Sequence, residues 1–375
     1  MKNKFIIVCS LVIFLVSCAP SLKNDDEVLQ NDEDSQLETS IVPGQRLAED
    51  NYRIILPYQP SAARGVIDNQ VFNRVDIDEM EEGLRRHSID VFDPENYYFQ
   101  EGRFLDRDTV FSWIDELNPK RPEQKSDWTR EQYEANPRIF SHILEQNYLL
   151  PDKEDEQRVG VAGISIGIGL RSVYRYQIED FGDTFYYEIP ENQIVQKGYE
   201  VAEEVVKRIR EMEGVPDVPI LVALFREEEQ HSPVPGNYFM KTVVPSGSNT
   251  IGEWEKIDEE YILFPSSEAY DKYVDDAETF NSFMNDIAEF FPNYVGAIGT
   301  GFYIEGELQR LKIEIPIQFY GKAEVIGFTQ YVYGLVEKNF SNHFDLEIDV
   351  TSSDQMESLI FRNAQEEKPT IHIFH

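Results

Sequence analysis

The feature that most restricts the fold of this chain is the alternation of helical and strand-like periodicity from about residue 137 onward. Apolar residues over 194–212 recur at spacings of three, four and seven, which is typical of an amphipathic helix. The continuous apolar run 220–225 indicates a buried strand. Residues 311–317 alternate between apolar and polar, as half-buried strands do. This mixture argues against an all-helical bundle and an all-β sandwich, and it predicts an α+β fold.

Two stretches of the chain show a similar order of elements. Residues 137–245 and residues 278–375 each read as helix, strand, strand, helix, strand. We therefore predict two related α-β-β-α-β units, preceded by an N-terminal α/β segment and a disordered tether. The spacing of Ile139 and Ile143 predicts the helix that opens the first unit, and the alternation over residues 74–78 predicts a short strand.

Composition divides the remainder of the chain. Residues 18–50 contain many acids and few large apolar side chains, so they cannot bury enough apolar surface to offset the entropy of ordering. They are predicted to form an extended acidic tether. The body follows in two parts, 51–130 and 131–375, because the charged, proline-containing stretch 118–128 reads as a loop between them.

The N-terminus has the features of an export signal. Two lysines precede an apolar run over residues 5–16, which is too short to cross a hydrocarbon core of about 30 Å. The run ends in Ser17 and Cys18, the pattern of a bacterial lipobox, in which a diacylglyceryl group is joined to the cysteine sulfur. A signal peptidase then cuts between Ser17 and Cys18. We predict a signal peptide over 1–17 and a lipid anchor at Cys18 on the extracellular face of the cell membrane.

Charge and cysteine content exclude several classes of protein. The 70 acidic residues outnumber the 34 basic ones, giving a net charge of −36, so a nucleic acid is not expected as a partner. The 2 cysteines cannot form a disulfide-rich scaffold or a four-cysteine zinc site. One of them, Cys9, lies inside the predicted signal peptide.

Common catalytic and nucleotide-binding motifs are absent from the sequence. Gly163, Gly167 and Gly169 lie among strand residues, whereas a dinucleotide-binding motif needs a tight turn followed by a helix. We expect these glycines to serve close packing. The sequence has no P-loop, HExxH or GxSxG pattern. We therefore predict no enzymatic activity, no metal and no cofactor.

The best candidate for a ligand site in the body is the loop that follows the apolar run 220–225. This loop contains Glu227, Glu228, Glu229 and His231, and ligands often bind beyond the carboxyl ends of strands in α/β sheets. A solvated acidic turn is the alternative interpretation. Two other functions stay open at this point: an extracellular enzyme that acts on the cell wall, and the solute-binding lipoprotein of a transporter.

Short motifs spread over residues 52–363 match one known family in the same order. They are residues 52–58, 63–65, 74–78, 98–102, 105–106, 144–146, 234–237, 264–266, 302–303 and 328–331. Together with the lipobox, these motifs resemble the CamS-type sex-pheromone lipoproteins of Gram-positive bacteria.

The resemblance implies a function for the leader rather than for the body. In this family the last residues of the signal peptide are trimmed and released as a short hydrophobic peptide, which enterococcal cells carrying a responsive conjugative plasmid sense. The corresponding residues here are Leu11, Val12, Ile13, Phe14, Leu15, Val16 and Ser17. They are similar to the family's peptide in length, apolar character and final serine.

The partners implied by the resemblance are a lipoprotein-processing peptidase, the membrane itself through the lipid, and a peptide receptor in recipient cells. The resemblance supplies no ligand for the body. For that part we expect an extracellular binding or interaction role.

Overall fold

The chain folds around two large β-sheets. The computed structural model describes residues 27–31, 39–42, 51–71, 73–152, 158–353 and 355–374. The helices are α1 (Ile67–Gln70), α2 (Arg74–Ser88), α3 (Arg107–Glu116), α4 (Arg130–Ala135), α5 (Glu191–Glu211), α6 (Ser267–Lys272), α7 (Val274–Phe290) and α8 (Lys322–Asn339). The strands are β1 (Glu27–Asn31), β2 (Thr39–Val42), β3 (Arg53–Ile54), β4 (Tyr98–Glu101), β5 (Phe140–Pro151), β6 (Arg158–Arg171), β7 (Val173–Gln177), β8 (Thr184–Glu188), β9 (Ile220–Glu227), β10 (Asn237–Val244), β11 (Glu255–Lys256), β12 (Glu259–Phe264), β13 (Ile298–Ile304), β14 (Glu307–Pro316), β15 (Asp345–Ser352), β16 (Gln355–Arg362) and β17 (Thr370–Ile373).

The two sheets are mixed. Seven strands of the first follow the order β11-β10-β9-β6-β5-β4-β3, and β1 pairs with β2 and with β6. The second follows the order β12-β13-β14-β15-β16-β17, and β7 pairs with β8 in a separate hairpin. Helices lie between strands along the chain, so the predicted α+β class is confirmed.

The central parts of the two sheets share one topology. In the first sheet, β5 and β6 form an antiparallel pair, β6 and β9 form a parallel pair connected through the hairpin β7–β8 and α5, and β9 and β10 form a second antiparallel pair. The sequence β13-β14-α8-β15-β16 gives the same three pairings in the same order. A common origin of the two units stays a prediction.

The first sheet is covered on both faces. Val110 of α3 and Val205 of α5 join the largest apolar core on one face, together with Ile166 and Ile168 of β6. On the other face, Met80 and Leu84 of α2 pack against Phe225 and Tyr238. The apolar residues of β9 are therefore buried on both sides, which explains its continuous apolar run.

The second sheet is covered by helices on one face. Phe283 of α7 and Phe328 of α8 pack with alternate residues of β14, including Ile313. The residues between them in β14 are polar, and Lys312 forms ion pairs with Glu347 (2.9 Å) and Asp349 (3.1 Å) of β15. This alternation is the one that the sequence predicts.

The glycines of β6 allow α2 and its neighbours to approach the first sheet closely. A Cβ atom on Gly163 would lie 2.1 Å from the ring of Phe92, and one on Gly167 would lie 2.8 Å from the hydroxyl of Tyr238. A larger residue at either position would displace a buried aromatic ring. The glycines thus serve close packing within a strand, as expected from the sequence.

Two predictions of local structure are wrong. Residues 74–78 begin the helix α2, because the side chain of Asn73 accepts a hydrogen bond from the Val75 amide and caps it. Ile139 and Ile143 do not mark a helix, since β5 occupies residues 140–151. This strand is buried over nearly its whole length, so its apolar residues do not alternate, and their spacing imitates helical periodicity.

Two features of the structure lie within the predicted tether and across the predicted boundary at 130/131. Inside the predicted acidic tether, the backbone of residues 27–31 and 39–42 forms the strands β1 and β2. The apolar pairs Val28-Leu29 and Ile41-Val42 favour strand formation, and a prediction based on the many acidic residues of this segment overlooks them. Strands β3 and β4, before the predicted boundary at 130/131, belong to the same sheet as β5 and β6 after it.

A cluster of charged side chains joins the two sheets. Arg86 of α2 donates hydrogen bonds to Glu79 on its own helix (2.7 Å) and to Glu259 of β12 (3.0 and 3.2 Å). His87 contacts the same Glu259 carboxylate at 3.2 Å. The hydroxyl of Tyr261 donates to Glu79, so side chains on both sides of the junction are linked.

We expect Arg86→Met to lower the free energy of unfolding by about 3 kcal/mol, because Glu79 and Glu259 would lose their charge partner while buried. The free energy is measured by urea unfolding of the full chain. The control is Arg85→Met on the same helix, where the guanidinium lies 6.0 Å from the Phe99 ring and the expected loss is below about 1 kcal/mol. An equal decrease in the free energy of unfolding in the two variants would contradict the role of this charged cluster in joining the two sheets.

Candidate functional site

The acidic loop predicted as a ligand site connects β9 to β10. The N-terminus of α2 lies against it. The side-chain amide of Asn73 donates to the backbone oxygens of Glu229 (3.3 Å) and Ser232 (3.0 Å). The loop is therefore tied to a helix more than 150 positions away in the sequence.

Asp76 is the centre of this contact. Its carboxylate accepts hydrogen bonds from the backbone amides of Gly236 (2.6 Å) and Glu228 (3.1 Å), at the two ends of the loop. The side chain is fully buried. Burial raises the pKa of Asp76 to about 8, although the two amides oppose this change.

Glu227, the last residue of β9, lies beneath the loop. It is 4% exposed, and the hydroxyl of Ser141 on β5 donates to its carboxylate. Burial raises the pKa of Glu227, while the nearby charge of Arg171 acts in the opposite direction. A Cβ atom on Gly169 would lie 2.7 Å from the Ser141 oxygen and 3.3 Å from Glu227, so this glycine makes room for the pair.

The structure separates the four predicted loop residues into two groups. Glu227 and Glu228 lie beside Asp76, and burial raises the pKa of Glu228 as well. Glu229 and His231 are exposed. Within the described part of the chain, His231 has no hydrogen-bond or ion-pair partner.

Sequence reasoning did not identify the residues from other segments that lie against the acidic loop and Glu227. Asp76 gave one weak signal, since it lies in the first helical turn, three residues after the cap Asn73. Ser141 and His142 gave none. His142 is fully buried beside this site, and burial lowers its pKa to about 3, so it is neutral.

The arrangement is suited to holding the loop in place. The carboxylates of Asp76 and Glu227 are closed off from solvent and occupied by hydrogen bonds from the protein. Among the described residues there is also no group of three or more side chains that could hold a metal ion. The residues of the predicted leader, including Leu11 to Ser17 and Cys18, lie outside the described residues.

We expect the stability of the protein to decrease as the pH rises from about 4 to about 8. In this window native Asp76 keeps a proton that the unfolded state, with a pKa of about 3.9, has released, so the unfolding free energy falls as the proton is lost. Asp76→Asn cannot ionise and should flatten this decrease in urea-unfolding experiments. The control is Asp78→Asn, an exposed position of the same helix. An unchanged pH dependence in Asp76→Asn would contradict the assignment.

Comparisons with known proteins identify relatives of the whole body. The family model described as CamS sex pheromone cAM373 precursor matches residues 58–368. None of the curated proteins matches the chain at a significant level.

Two solved structures are similar in fold and in sequence. One is the crystal structure of a sex pheromone precursor from Lactobacillus salivarius subsp. salivarius UCC118, with 28% identity and a TM-score of 0.81 over 90% of this chain and 99% of that one. The other is the C-terminal domain of the sex pheromone staph-cAM373 precursor from Staphylococcus aureus, with 27% identity and a TM-score of 0.69 over 82% and 99%. The family match spans most of the body, and the resemblance read from its short motifs is confirmed. The chain belongs to the CamS sex pheromone cAM373 precursor family.

Proposed function

We propose that this chain is a lipid-anchored surface protein and the precursor of a short hydrophobic signalling peptide, residues 11–17. The observation that carries the proposal is the Ser17-Cys18 lipobox at the end of an apolar run, in a chain that belongs to a family of pheromone precursors. The similar structures from L. salivarius and S. aureus are both named as sex pheromone precursors.

Cys18 provides the anchor in this proposal. Each buried methylene of a lipid contributes about 0.8 kcal/mol to membrane binding, and two or more acyl chains hold a protein stably. In the described part of the chain, none of the helices has the length and hydropathy to span a bilayer. In this proposal the lipid on Cys18 attaches the protein to the extracellular face of the membrane.

The leader provides the signal. Cleavage before Cys18 by the lipoprotein-processing peptidase leaves a fragment that ends in Ser17, and trimming from its other end yields residues 11–17. A peptide of this apolar character is suited to a hydrophobic groove in a receptor of the recipient cell. Such a groove discriminates against a changed methylene by about 1–3 kcal/mol, so the order of side chains sets which cells respond.

The body is proposed to act by binding rather than by catalysis. The support is the burial of the two carboxyl groups next to the acidic loop: Asp76 is fully buried, and Glu227 is 4% exposed. General acid–base catalysis on a cell-wall polymer needs carboxyl groups within hydrogen-bond reach of the substrate. Here these groups are engaged with backbone amides and the Ser141 hydroxyl instead.

We expect mass spectrometry of spent medium from the native host to detect the peptide of residues 11–17. A synthetic peptide of the same sequence serves as the standard. Absence of the peptide while lipidated mature protein accumulates would contradict the role as a precursor and leave the anchor intact.

We expect Cys18→Ala to abolish incorporation of labelled fatty acid and to leave the protein either unprocessed or in the medium. The matched control is Cys9→Ala, which changes the other cysteine of the chain inside the leader and should be lipidated normally. A processed form of Cys18→Ala that stays in the membrane fraction would exclude anchoring through this residue.

A further inference from the structure

A large cleft is lined in part by the half-buried Arg171, and none of its lining residues belongs to the acidic loop. Its volume is about 870 Å³. The loop over residues 121–126 forms one side, and the hairpin strand β7 with the residues after it forms another. Pockets for small organic ligands have volumes of about 300–1,000 Å³, so the cleft has the size of a binding site.

Cations predominate in this cleft, although the chain as a whole has a net charge of −36. Five of the lining residues are Arg121, Lys125, Arg138, Arg171 and Arg175, and three are carboxylates. One of the three, Asp180, already forms an ion pair with Lys125 at 3.1 Å. The cleft therefore has an excess of positive charge in a strongly acidic protein.

Two of these arginines are fixed in position by the fold. Arg171 donates to the backbone oxygens of Arg138 and Gln70, each at 3.0 Å. Arg138 donates to the Pro119 backbone oxygen at 2.8 Å and to the carboxylate of Asp115. Side chains held in this way lose little further entropy when they bind a ligand.

Arg121 differs from these two because it is exposed and has no hydrogen-bond or ion-pair partner among the described residues. Its charge also acts on its neighbours. Burial lowers the pKa of Arg138 and of Arg171, and the charge of Arg121 lowers both further. An anion bound at Arg121 would offset this repulsion.

Tyrosines form the apolar wall of the cleft. The rings of Tyr133 and Tyr176 stack at 4.8 Å, and those of Tyr174 and Tyr176 stack at 5.4 Å. The hydroxyls of Tyr133 and Tyr176 donate to the Lys125 backbone oxygen and to Glu134, both at 2.9 Å. The wall is therefore rigid, and it can contact the carbon skeleton of a ligand while the arginines bind its charged group.

We propose that this cleft binds a small organic anion, whose phosphate or carboxylate group is held by Arg121, while the fixed charges of Arg138 and Arg171 add electrostatic attraction. Arginine is suited to both groups, because its planar guanidinium forms paired hydrogen bonds with two oxygens. The tyrosine wall receives the organic part of the molecule. This binding site belongs to the body and is independent of the signalling peptide.

The proposal is tested by isothermal titration calorimetry on the full chain in detergent, with inorganic phosphate, glycerol 3-phosphate and glucuronate as probes. We expect glycerol 3-phosphate or glucuronate to bind more tightly than inorganic phosphate, and the tighter of the two identifies the charged group. Arg121→Gln should weaken this binding about tenfold or more, because it removes a charge-assisted hydrogen bond to the ligand and breaks no hydrogen bond or ion pair with another described residue. Arg121→Lys should retain part of the affinity.

The matched control is Arg64→Gln, which removes an exposed arginine outside the lining of the cleft. It should bind the probes like the unchanged protein. If Arg64→Gln and Arg121→Gln weaken binding of the probes equally, the effect comes from the change in net charge alone, and the proposal is overturned. Dissociation constants weaker than about 1 mM for both organic probes would also overturn it, as would equal affinity for inorganic phosphate.

Discussion

The relative placement of the two sheets depends on the ion cluster around Glu259. Burial alone would raise the pKa of this carboxyl group, but the hydrogen bond from His87 and the charge of Arg86 outweigh it, so the pKa is lowered. The group is therefore ionised and needs its partners, and those partners lie on α2, a helix that packs on the other sheet. Apolar contacts tolerate sliding, whereas a buried carboxylate with fixed donors sets both distance and direction. The stacking of Arg86 over the Phe302 ring, at 4.5 Å, adds a further restriction on the same junction.

α2 consequently contacts the acidic loop, the first sheet and the second sheet. Its first turn holds the acidic loop through Asp76, its middle covers the first sheet through Met80 and Leu84, and its last turn reaches the second sheet through Arg86. The glycines of β6 permit this arrangement, because side chains there would separate the helix layer from the strands. A single helix thereby couples the candidate site to the interface between the sheets.

Periodicity predicted the elements that have one solvent-exposed face. The helix α5 and the strand β14 are of this kind, and both lie where the sequence places them. Prediction failed in β5, where buried polar residues such as Ser141 and His142 interrupt the apolar pattern, so the sequence shows neither alternation nor a continuous apolar run. The candidate site was predictable only in its contiguous part, Glu227 and Glu228. The other residues of this site, Asp76 and Ser141, come from segments that are distant in sequence and meet only in the folded protein. The same holds for the arginines that line the large cleft described above.

The contact between Arg86 and Glu259 spans 173 positions of the sequence, and this separation has a consequence for the order of folding. Strands β3 to β11 and the helices that cover them all precede residue 257, so the first sheet can form before β12 joins it. Until then Arg86 has Glu79 on its own helix as a partner, which keeps the guanidinium paired at a surface that is still in water. Loop closure over such a distance costs only slightly more than over a short one, because the entropy grows with the logarithm of length. Docking of the second sheet can therefore follow as a step in which a charge pair that already exists accepts a third member.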